Sequence, residues 1–287
     1  MGISQYIKEI GRGPRGSKPL TREQAADLFG QLLDGNVTDL EIGAFCLAMR
    51  IKGETPEEMC GFLDAAHSRM ALFPASDRPV IVLPSYNGAR KLPVLTPLLA
   101  LLLAREGLPV LLHGMRTEAR RTLASDVLLA LGVPALTAPE KIATGSVAHI
   151  ETGYLHAALA RLLKVREVVG LRNAGHSIVK LMNPCAGPAV VVTSYTHPEY
   201  YDMLQATFGA LHMTALLSRG LEGEVATDPR RTPRYDAFVA GVHQLLQEQQ
   251  PGTAADVPGL PTEIDIDTRA RYTQDVPDGR LPAPPAL

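Results

Sequence analysis

The stretch that decides the fold of this 287-residue chain is RPVIVLPSYNGARKLPVLTPLLALLLARE, residues 78–106. Its β-branched and aliphatic run at 79–83 predicts a strand that is buried on both faces. Thr96 then supplies a capping hydroxyl, Pro97 suits a first helical turn, and Gly107 ends an apolar helix. This order predicts a ligand-binding crevice, because ligands of open parallel sheets lie beyond the carboxyl ends of the strands.

The loop between this strand and helix is PSYNGARK, residues 84–91. It combines hydroxyl groups, an amide, a glycine and two adjacent cations, a composition that suits the binding of anionic oxygens. A solvated connection with two surface cations is the alternative interpretation of the same residues.

The composition bounds the class of protein. Hydrophobic residues make up 46% of the chain, enough for one large domain or two smaller ones. The formal net charge of -2 excludes a globally basic nucleic-acid binder, but it is compatible with a basic groove that acids elsewhere offset. Cys46, Cys60 and Cys185 are too scattered for a disulfide framework or a zinc site, and we interpret them as reduced core thiols. Without an apolar leader or a run of transmembrane length, we expect a cytoplasmic protein with no membrane partner.

Three helices are predicted near the N-terminus, each by a capping box in which a hydroxyl and an acid or amide three residues later satisfy free N–H groups. The boxes are Thr21–Gln24, Thr38–Glu41 and Thr55–Glu58. With a short helix at 2–12, they predict a helical bundle domain over residues 1–72. One helix carries an apolar stripe that must pack against something, and we expect it to form a homodimer. The stripe is Ala44, Leu47, Ala48 and Ile51.

Beyond residue 79, predicted strands and helices alternate. This alternation predicts an α/β domain at 73–245, with a mostly parallel sheet flanked by helices and some crossover into the helical domain. The predicted strands are 79–83, 109–112, 147–150, 189–194 and 214–217, and the predicted helices are 96–106, 117–131, 154–168, 174–182 and 198–211. At 246–287 the pattern decays into a Pro-rich tail that we expect to be loosely ordered.

Basic residues form two groups. The first follows predicted strands or begins predicted helices, positions that share one face of a parallel sheet, and helix N-termini there add partial positive charge. Its members are Arg90, Lys91, Arg116, Arg120, Arg121, Arg172 and Lys180, and Arg219, Arg230, Arg231 and Arg234 extend it. Tyr86 and Tyr195 are available to stack on bases. A phosphoribosyl substrate and a polynucleotide backbone both fit such a groove.

The second basic group is Lys8, Arg12, Arg15 and Lys18. It surrounds a GxGxxG match at 11–16, which Pro14 interrupts and which follows a helix rather than a strand, so we do not expect a dinucleotide site. A flexible basic loop can follow phosphates, and a solvated loop is the alternative.

The histidines carry little catalytic signal. None of the eight lies in a HExxH pattern, and no Cys-x-x-Cys pair accompanies them, so we expect no metal. His113 follows a predicted strand, where a neutral imidazole could donate to a substrate oxygen. His176 lies at the start of a predicted helix, and His197 is predicted to cap the helix at 198–211. Polar residues are common at helix starts without any function.

The segment LTREQAADLFGQLLDGNVTDLEIGAFCLAMRIKGETPEEMCGF, residues 20–62, closely resembles the N-terminal helical domain of the anthranilate phosphoribosyltransferase family. Further signals are His113-Gly114, Gly170-Leu171-Arg172-Asn173 and Asn183-Pro184. The resemblance covers most of residues 3–235. It implies an α/β domain fused to a helical domain, dimerisation through the helical unit, and an ancestral phosphate and substrate pocket. That pocket is Ser85, Tyr86, Asn87, Gly88, His113, Arg172 and Asn173.

Two departures from the family pattern bear on chemistry. The family's Gly-Thr-Gly-Gly-Asp turn, which binds pyrophosphate, is replaced by Pro84-Ser85-Tyr86-Asn87-Gly88, where Pro84 and Tyr86 obstruct the approach of backbone N–H groups to phosphate. The family's adjacent Asp-Glu pair for magnesium is replaced by Glu222-Gly223-Glu224. This spaced pair is either a metal site through waters or a solvated loop pair. We therefore expect no cofactor, with Mg only if the protein is a transferase.

Four segments, PSYNGARK, IKEIGRG, GLRNAGHSIVKLMNP and SYTHPEY, resemble a branch of the family described as nucleic-acid-binding dimers without demonstrated transferase chemistry. The resemblance implies binding of DNA or RNA in a basic groove with little sequence specificity. The expected contacts are Lys8, Arg12, Arg15, Lys18, Arg90, Lys91, Arg116, Arg120, Arg172 and Lys180. The alternative is phosphoribosyl transfer to an aromatic acceptor with Mg, and a third possibility is an interaction partner for other proteins.

Overall fold

The computed structural model describes residues 2–13, 15–263 and 265–287, so Pro14 of the GxGxxG match lies outside the described residues. Four helices form the N-terminal bundle: α1 (Ser4–Ile10), α2 (Arg22–Leu33), α3 (Asp39–Lys52) and α4 (Pro56–His67). The elements that follow are β1 (Val80–Pro84), α5 (Thr96–Arg105), β2 (Val110–Gly114), α6 (Ala124–Ala130), β3 (Ala135–Leu136), β4 (Val147–Glu151), α7 (Thr152–Leu155), α8 (Ala157–Val169) and α9 (Gly175–Ile178). The last are β5 (Ala189–Tyr195), α10 (Glu199–Ala210), β6 (Ala215–Arg219), β7 (Tyr235–Val239), β8 (Val242–Gln247) and α11 (Ile266–Asp275).

All three predicted capping boxes are present at the starts of α2, α3 and α4. The bundle encloses three phenylalanines, Phe29, Phe45 and Phe62, whose ring centroids lie 5.0–6.2 Å apart. Among the described residues of the bundle, Glu58 is the one fully buried carboxylate. It accepts hydrogen bonds from Lys52 Nζ at 2.6 Å and from Leu20 N at 2.9 Å. The capping acid of α4 therefore also ties the α1–α2 connection to the end of α3.

The sheet has eight strands in the order β3-β4-β2-β1-β5-β6-β7-β8. The pairs from β3 to β6 are parallel, and β6–β7 and β7–β8 are antiparallel. From β1 the chain builds the sheet outward through β2 on one side and, later, through β5 on the other. This reversal opens a crevice at the carboxyl ends of β1 and β5, the usual ligand position in such sheets. The predicted fold class, a mostly parallel α/β sheet with a small helical domain, is confirmed.

The structure adds the strands β3, β7 and β8, divides the helix predicted at 154–168 into α7 and α8, and shortens two other predicted helices. The helix predicted at 117–131 is confined to α6, because Arg116 and Arg121 in the preceding segment bond across the loop instead. The helix predicted at 174–182 is only the single turn α9. Thr96 is the first residue of α5 and makes no capping bond, since its hydroxyl donates to Glu224.

The segment predicted to be a loosely ordered tail, 246–287, contains α11, which packs on α5 and α6. Its apolar residues Ala270, Tyr272 and Val276 are buried, and the last two join a cluster with Leu95 and Leu98. The expectation of loose order was wrong for this helix because these few apolar side chains lie among polar ones. No helix in the described ranges is long and apolar enough to cross a membrane.

Candidate anion-binding cleft

A polar cleft of about 880 Å³ lies at the carboxyl ends of β1 and β5. It is bounded by the end of α3, the β1–α5 loop, α9 and the start of α10. The cations that line it outnumber the carboxylates. The cations are Arg50, Arg90, Arg121, Arg166, Arg172 and Lys180, and the carboxylates are Glu54, Glu118, Glu199 and Glu222. This surplus of positive charge favours anionic ligands.

Three of these cations, Arg50, Arg90 and Arg172, have side chains without a partner among the described residues, although the backbone N–H of Arg90 is bonded. Neither Arg50 nor Arg172 forms a hydrogen bond or ion pair with any residue that the structure describes. Arg121 and Arg166, in contrast, share the carboxylate of Glu118, each at 3.1 Å. Burial, and then the neighbouring charges of Arg166 and Arg121, lower the pKa of Arg172. Because a guanidinium still stays charged at neutral pH, Arg172 presents an unneutralised donor group to the cleft.

The floor of the cleft holds two further nitrogen groups. Lys180 Nζ donates to the carbonyl of Gly223 at 3.0 Å, and burial lowers the pKa of this lysine to about 8. His176 is 7% exposed, with Nδ1 beside Asn173 and with no hydrogen-bond partner at Nε2 among the described residues. Burial, together with the charges of Arg172 and Arg166, lowers the pKa of His176 to about 3. The imidazole is therefore neutral at physiological pH.

Aromatic rings form one side of the cleft. Tyr195 ends β5, and His197 and Tyr200 lie at the start of α10 with ring centroids 6.5 Å apart. Tyr195 packs edge to face on Tyr201 at 5.6 Å, which holds its ring in place. Rings beside cations are the combination on which nucleobases stack while phosphates are bound.

The β1–α5 loop binds a carboxylate of the chain itself. Glu224, which is 3% exposed, accepts four hydrogen bonds from this loop and the helix after it. Its Oε1 accepts from the backbone N–H groups of Asn87 at 2.9 Å and Gly88 at 2.8 Å. Its Oε2 accepts from the hydroxyl groups of Ser85 at 2.5 Å and Thr96 at 3.0 Å. The loop therefore binds an anion, and this anion is the side chain of another residue of the same chain.

The neighbouring residues fix this carboxylate. The carbonyl of Gly223 accepts from Asn87 Nδ2 at 2.8 Å, and Glu222 Oε2 accepts from the backbone N–H of Arg90 at 2.7 Å. Gly223 has φ +83°, and a Cβ there would lie 1.8 Å from Asn87 Nδ2, so only glycine fits. Glu222 also has a positive φ, +52°, which is uncommon for a residue with a side chain.

Several predicted site residues lie elsewhere or have other roles. Tyr86 and His113 are buried, and the Tyr86 hydroxyl contacts His113 Nδ1 at 2.8 Å, so the predictions of base stacking by Tyr86 and substrate contact by His113 were wrong. Burial raises the pKa of Tyr86 and lowers that of His113 to about 3.

Ser85 and Gly88 lie beneath Glu224. Asn173 reaches the cleft, but its side chain bonds to Leu162 and Gly175.

Only some of the cations that were predicted to bind a ligand line the cleft. Arg90, Arg121, Arg172 and Lys180 line the cleft. Arg116 instead donates from Nη2 to both carboxylate oxygens of Asp126, at 2.8 and 2.7 Å, and this ion pair competes with any ligand. The remaining predicted contacts are exposed and lie outside the cleft lining, and they are Lys8, Arg12, Arg15, Lys18, Lys91 and Arg120. Arg219, Arg231 and Arg234 line a neighbouring cavity of about 250 Å³, which shares Tyr195 and Thr196 with the cleft.

The sequence analysis did not identify Arg50, Arg166 or the role of Glu224. Arg50 lies three residues before Gly53, where α3 ends, and a cation at a helix end is the only local signal it gives. His197 was predicted to cap α10, but the residue before this helix is Pro198 and no side chain caps it.

The carboxylates at 222 and 224 do not fit a magnesium site. Both oxygens of Glu224 already accept hydrogen bonds from the β1–α5 loop and from Thr96 of α5, and Glu222 Oε2 accepts from two backbone N–H groups, those of Arg90 and Lys91. Within the described residues, no group of three or more His, Cys, Asp or Glu side chains converges to hold a metal ion. Glu224 is also not solvated, so both interpretations of the spaced pair were wrong for this residue.

Comparisons with known proteins agree with this architecture. Residues 4–70 match the helical bundle domain of a glycosyl transferase family. The chain is 36% identical over 294 residues to the uncharacterized protein YbiB of Escherichia coli K12, covering all of this chain and 91% of that protein. It is 31% identical over 219 residues to the anthranilate phosphoribosyltransferase of Methylorubrum extorquens PA1, covering 74% of this chain and 65% of that enzyme, slightly under two thirds of its length.

Solved structures show the same fold. Anthranilate phosphoribosyltransferase of Thermus thermophilus superposes with a TM-score of 0.73 at 21% identity, over 97% of this chain and 84% of that one. The Saccharomyces cerevisiae enzyme in complex with PRPP and Mg superposes with a TM-score of 0.67 at 14% identity, over 95% and 80%. The anthranilate phosphoribosyltransferase of Methylobacterium nodulans is 32% identical over 231 residues, covering 78% of this chain and 67% of that enzyme. Together with the matched helical bundle, this relative leads to one assignment. This chain belongs to the anthranilate phosphoribosyltransferase-like family of glycosyl transferases.

Proposed function

We propose that this protein binds DNA or RNA through phosphate contacts in the cationic cleft, with little sequence preference. The observation that carries this proposal is that the guanidinium groups of Arg50 and Arg172 line the cleft without a partner among the described residues, beside the aromatic side formed by Tyr195 and Tyr200. Phosphate oxygens are the natural acceptors for a guanidinium, and base rings can stack on tyrosine without discriminating between sequences.

Polynucleotide binding also suits the state of the turn after β1. A phosphodiester backbone needs cations along a groove, whereas a terminal pyrophosphate needs a dedicated set of N–H donors. The cleft offers the cations, and Glu224 occupies the donors. The exposed basic residues Arg12, which pairs with Glu9 at 2.8 Å, and Arg15 are a second set of phosphate contacts in this proposal, outside the cleft lining.

Phosphoribosyl transfer to an aromatic acceptor with Mg is the second candidate. Membership of the family and the similarity to an anthranilate phosphoribosyltransferase favour it. The cleft is large enough for such substrates, and Arg172 and His176 could contact an acidic acceptor. The filled turn weighs against it, because capture of the pyrophosphate group comes before any chemistry.

One pair of measurements separates the two candidates. Fluorescence anisotropy with two unrelated oligonucleotides, each as DNA and RNA, should give similar affinities that fall steeply as salt rises. Calorimetry with phosphoribosyl pyrophosphate, Mg and anthranilate should show neither binding nor turnover. Absence of oligonucleotide binding at low salt would overturn the first proposal, and turnover would establish the second.

We also propose a homodimer that forms through α3. Leu47 is 46% exposed and Ile51 is 60% exposed, so this part of the predicted stripe is not covered by the protein's own core. Leu40, at the start of the same helix, is 84% exposed. Apolar side chains grouped on one helix favour contact with a second protein surface.

A further inference from the structure

We propose that Glu224 is an intramolecular substitute for a phosphate group, and that the turn beneath it binds inorganic pyrophosphate once this carboxylate is removed. In the native protein Glu224 excludes phosphate anions from the turn. The inference depends on the geometry of the turn and is independent of nucleic-acid binding in the outer cleft.

The turn is a built anion site. Four donors converge on one carboxylate at 2.5–3.0 Å, and they come from Ser85, Asn87, Gly88 and Thr96. All four residues are buried, so these donors cannot turn to bulk solvent. Thr96 begins α5, a helix of ten residues whose N-terminus adds partial positive charge. Lys180, whose Nζ lies 3.0 Å from the carbonyl of Gly223, adds a full charge beside the site.

The occupant comes from a distant part of the chain. Glu224 lies 139 residues after Ser85 and reaches the turn from a loop that two consecutive residues with positive φ, Glu222 and Gly223, bend towards it. Its own backbone is fixed, since its carbonyl accepts from Ser194 Oγ at 2.9 Å. The donor set belongs to the β1–α5 loop, and the anion is delivered to it by a separate element.

The four donors are satisfied by a carboxylate, and a phosphate group can satisfy them as well. Each oxygen of Glu224 accepts two hydrogen bonds, so two oxygens satisfy four donors. A phosphate group offers more oxygens and a larger negative charge to the same donors and to the helix N-terminus. Removal of the carboxylate leaves four buried donors without an acceptor, which is costly until an anion replaces it.

The test is whether an added anion restores the stability of the variant Glu224→Ala, with the melting temperature as the measured quantity. We expect this variant to melt below the native protein and to regain stability with pyrophosphate. The melting temperature of the variant should rise by about 3 °C when the pyrophosphate concentration exceeds its Kd about tenfold. The melting temperature of the native protein should change by less than about 1 °C under the same conditions. Glu199→Ala is the matched control, because it removes a cleft carboxylate with no hydrogen bond to the turn, and it should not respond.

Two further arms make the outcome decisive. Acetate and formate replace only a carboxylate, so rescue by these ions without rescue by pyrophosphate would overturn the proposal. Adding Ser85→Ala to Glu224→Ala should abolish the response to pyrophosphate, and an unchanged response would place the anion elsewhere and also overturn it. If Glu224→Ala does not fold, Glu224→Ser carries the test, since its short side chain also leaves the turn open and its hydroxyl group is polar. A folded Ser variant whose melting temperature does not rise with pyrophosphate would refute the inference.

Discussion

Arg50 and Arg172 are the residues whose loss should most directly change nucleic-acid binding. Both line the cleft, and neither has a partner among the described residues, so replacing them by Gln removes charge without leaving a carboxylate unpaired. Each should contribute one phosphate contact. For single strands each neutralised phosphate adds about -0.7 to the slope of log affinity against log salt.

The expected effect follows from that slope. Relative to about 1 M salt, one contact is worth about 0.7 log units at about 0.1 M, or about fivefold in affinity. The double variant Arg50→Gln/Arg172→Gln should therefore bind about 25-fold more weakly at about 0.1 M and lose about 1.4 from the slope. Because phosphate contacts carry no sequence information, two unrelated oligonucleotides should lose affinity equally.

Anisotropy titrations at four salt concentrations measure both quantities. Lys141→Gln is the control, since Lys141 is an exposed partner of Asp77 outside the cleft lining and its loss should leave the slope unchanged. Arg12→Gln/Arg15→Gln tests the N-terminal loop in the same way. If that pair changes the slope and the cleft pair does not, nucleic acid follows the outer loop and the cleft has another ligand.

Three further predictions concern assembly and stability. Leu47→Glu should shift the protein from dimer to monomer in sedimentation velocity, and an unchanged dimer would exclude this face of α3. His113 and His176 have folded pKa values of about 3, below the unfolded value of about 6.5, so protons bind the unfolded chain preferentially as the pH falls below about 6.5. These two histidines should account for about 2–3 kcal/mol of the free energy of unfolding lost between about pH 7.5 and 5.5 in urea unfolding, and the double Asn variant should lose that much less than the native protein, with His156 still contributing in both. Glu58→Ala should cost about 3–5 kcal/mol in urea unfolding because it leaves the Lys52 charge buried, and Lys52→Met should recover part of that loss.

The parts of the fold that are coded locally could be predicted from the sequence. The capping boxes of α2, α3 and α4 each lie within four residues, and the strand β1 is a single uninterrupted apolar run. The alternation of strands and helices then predicted a mostly parallel sheet. In each case the deciding contacts are between near neighbours in the chain.

The site was predicted less completely because its key contacts are not local. The four hydrogen bonds of Glu224 join residues 128–139 positions apart, and nothing in the sequence near Thr96 distinguishes a capping hydroxyl from a donor to a distant acid. Arg50 comes from α3 of the N-terminal bundle and Arg166 from α8, which follows β4, and both reach the cleft only after these helices have packed in the folded protein. The cations that follow strands, such as Arg90 and Arg121, were predictable since parallel strands end at one edge.

Helix α11 escaped prediction for a different reason. It buries one narrow face on α5 and α6, and the rest of its surface is polar. Arg269, one of its most buried residues, would ordinarily indicate solvent exposure, yet its guanidinium donates to the carbonyl of Leu92 at 3.3 Å. Tertiary packing overrides a composition that resembles a disordered tail.

The contact between Ser85 and Glu224 also orders events during folding. Glu224 follows β6, which pairs with β5 and β7, and β5 in turn must pair with β1. The β1–α5 loop therefore cannot reach its final conformation until the second half of the sheet has assembled. Closing a loop of this length carries a large entropic cost before any contact stabilises it, which makes such steps slow. During synthesis on the ribosome, the N–H groups of Asn87 and Gly88 are exposed to water while roughly half of the chain is still being made, and the arrival of Glu224 marks the completion of the cleft.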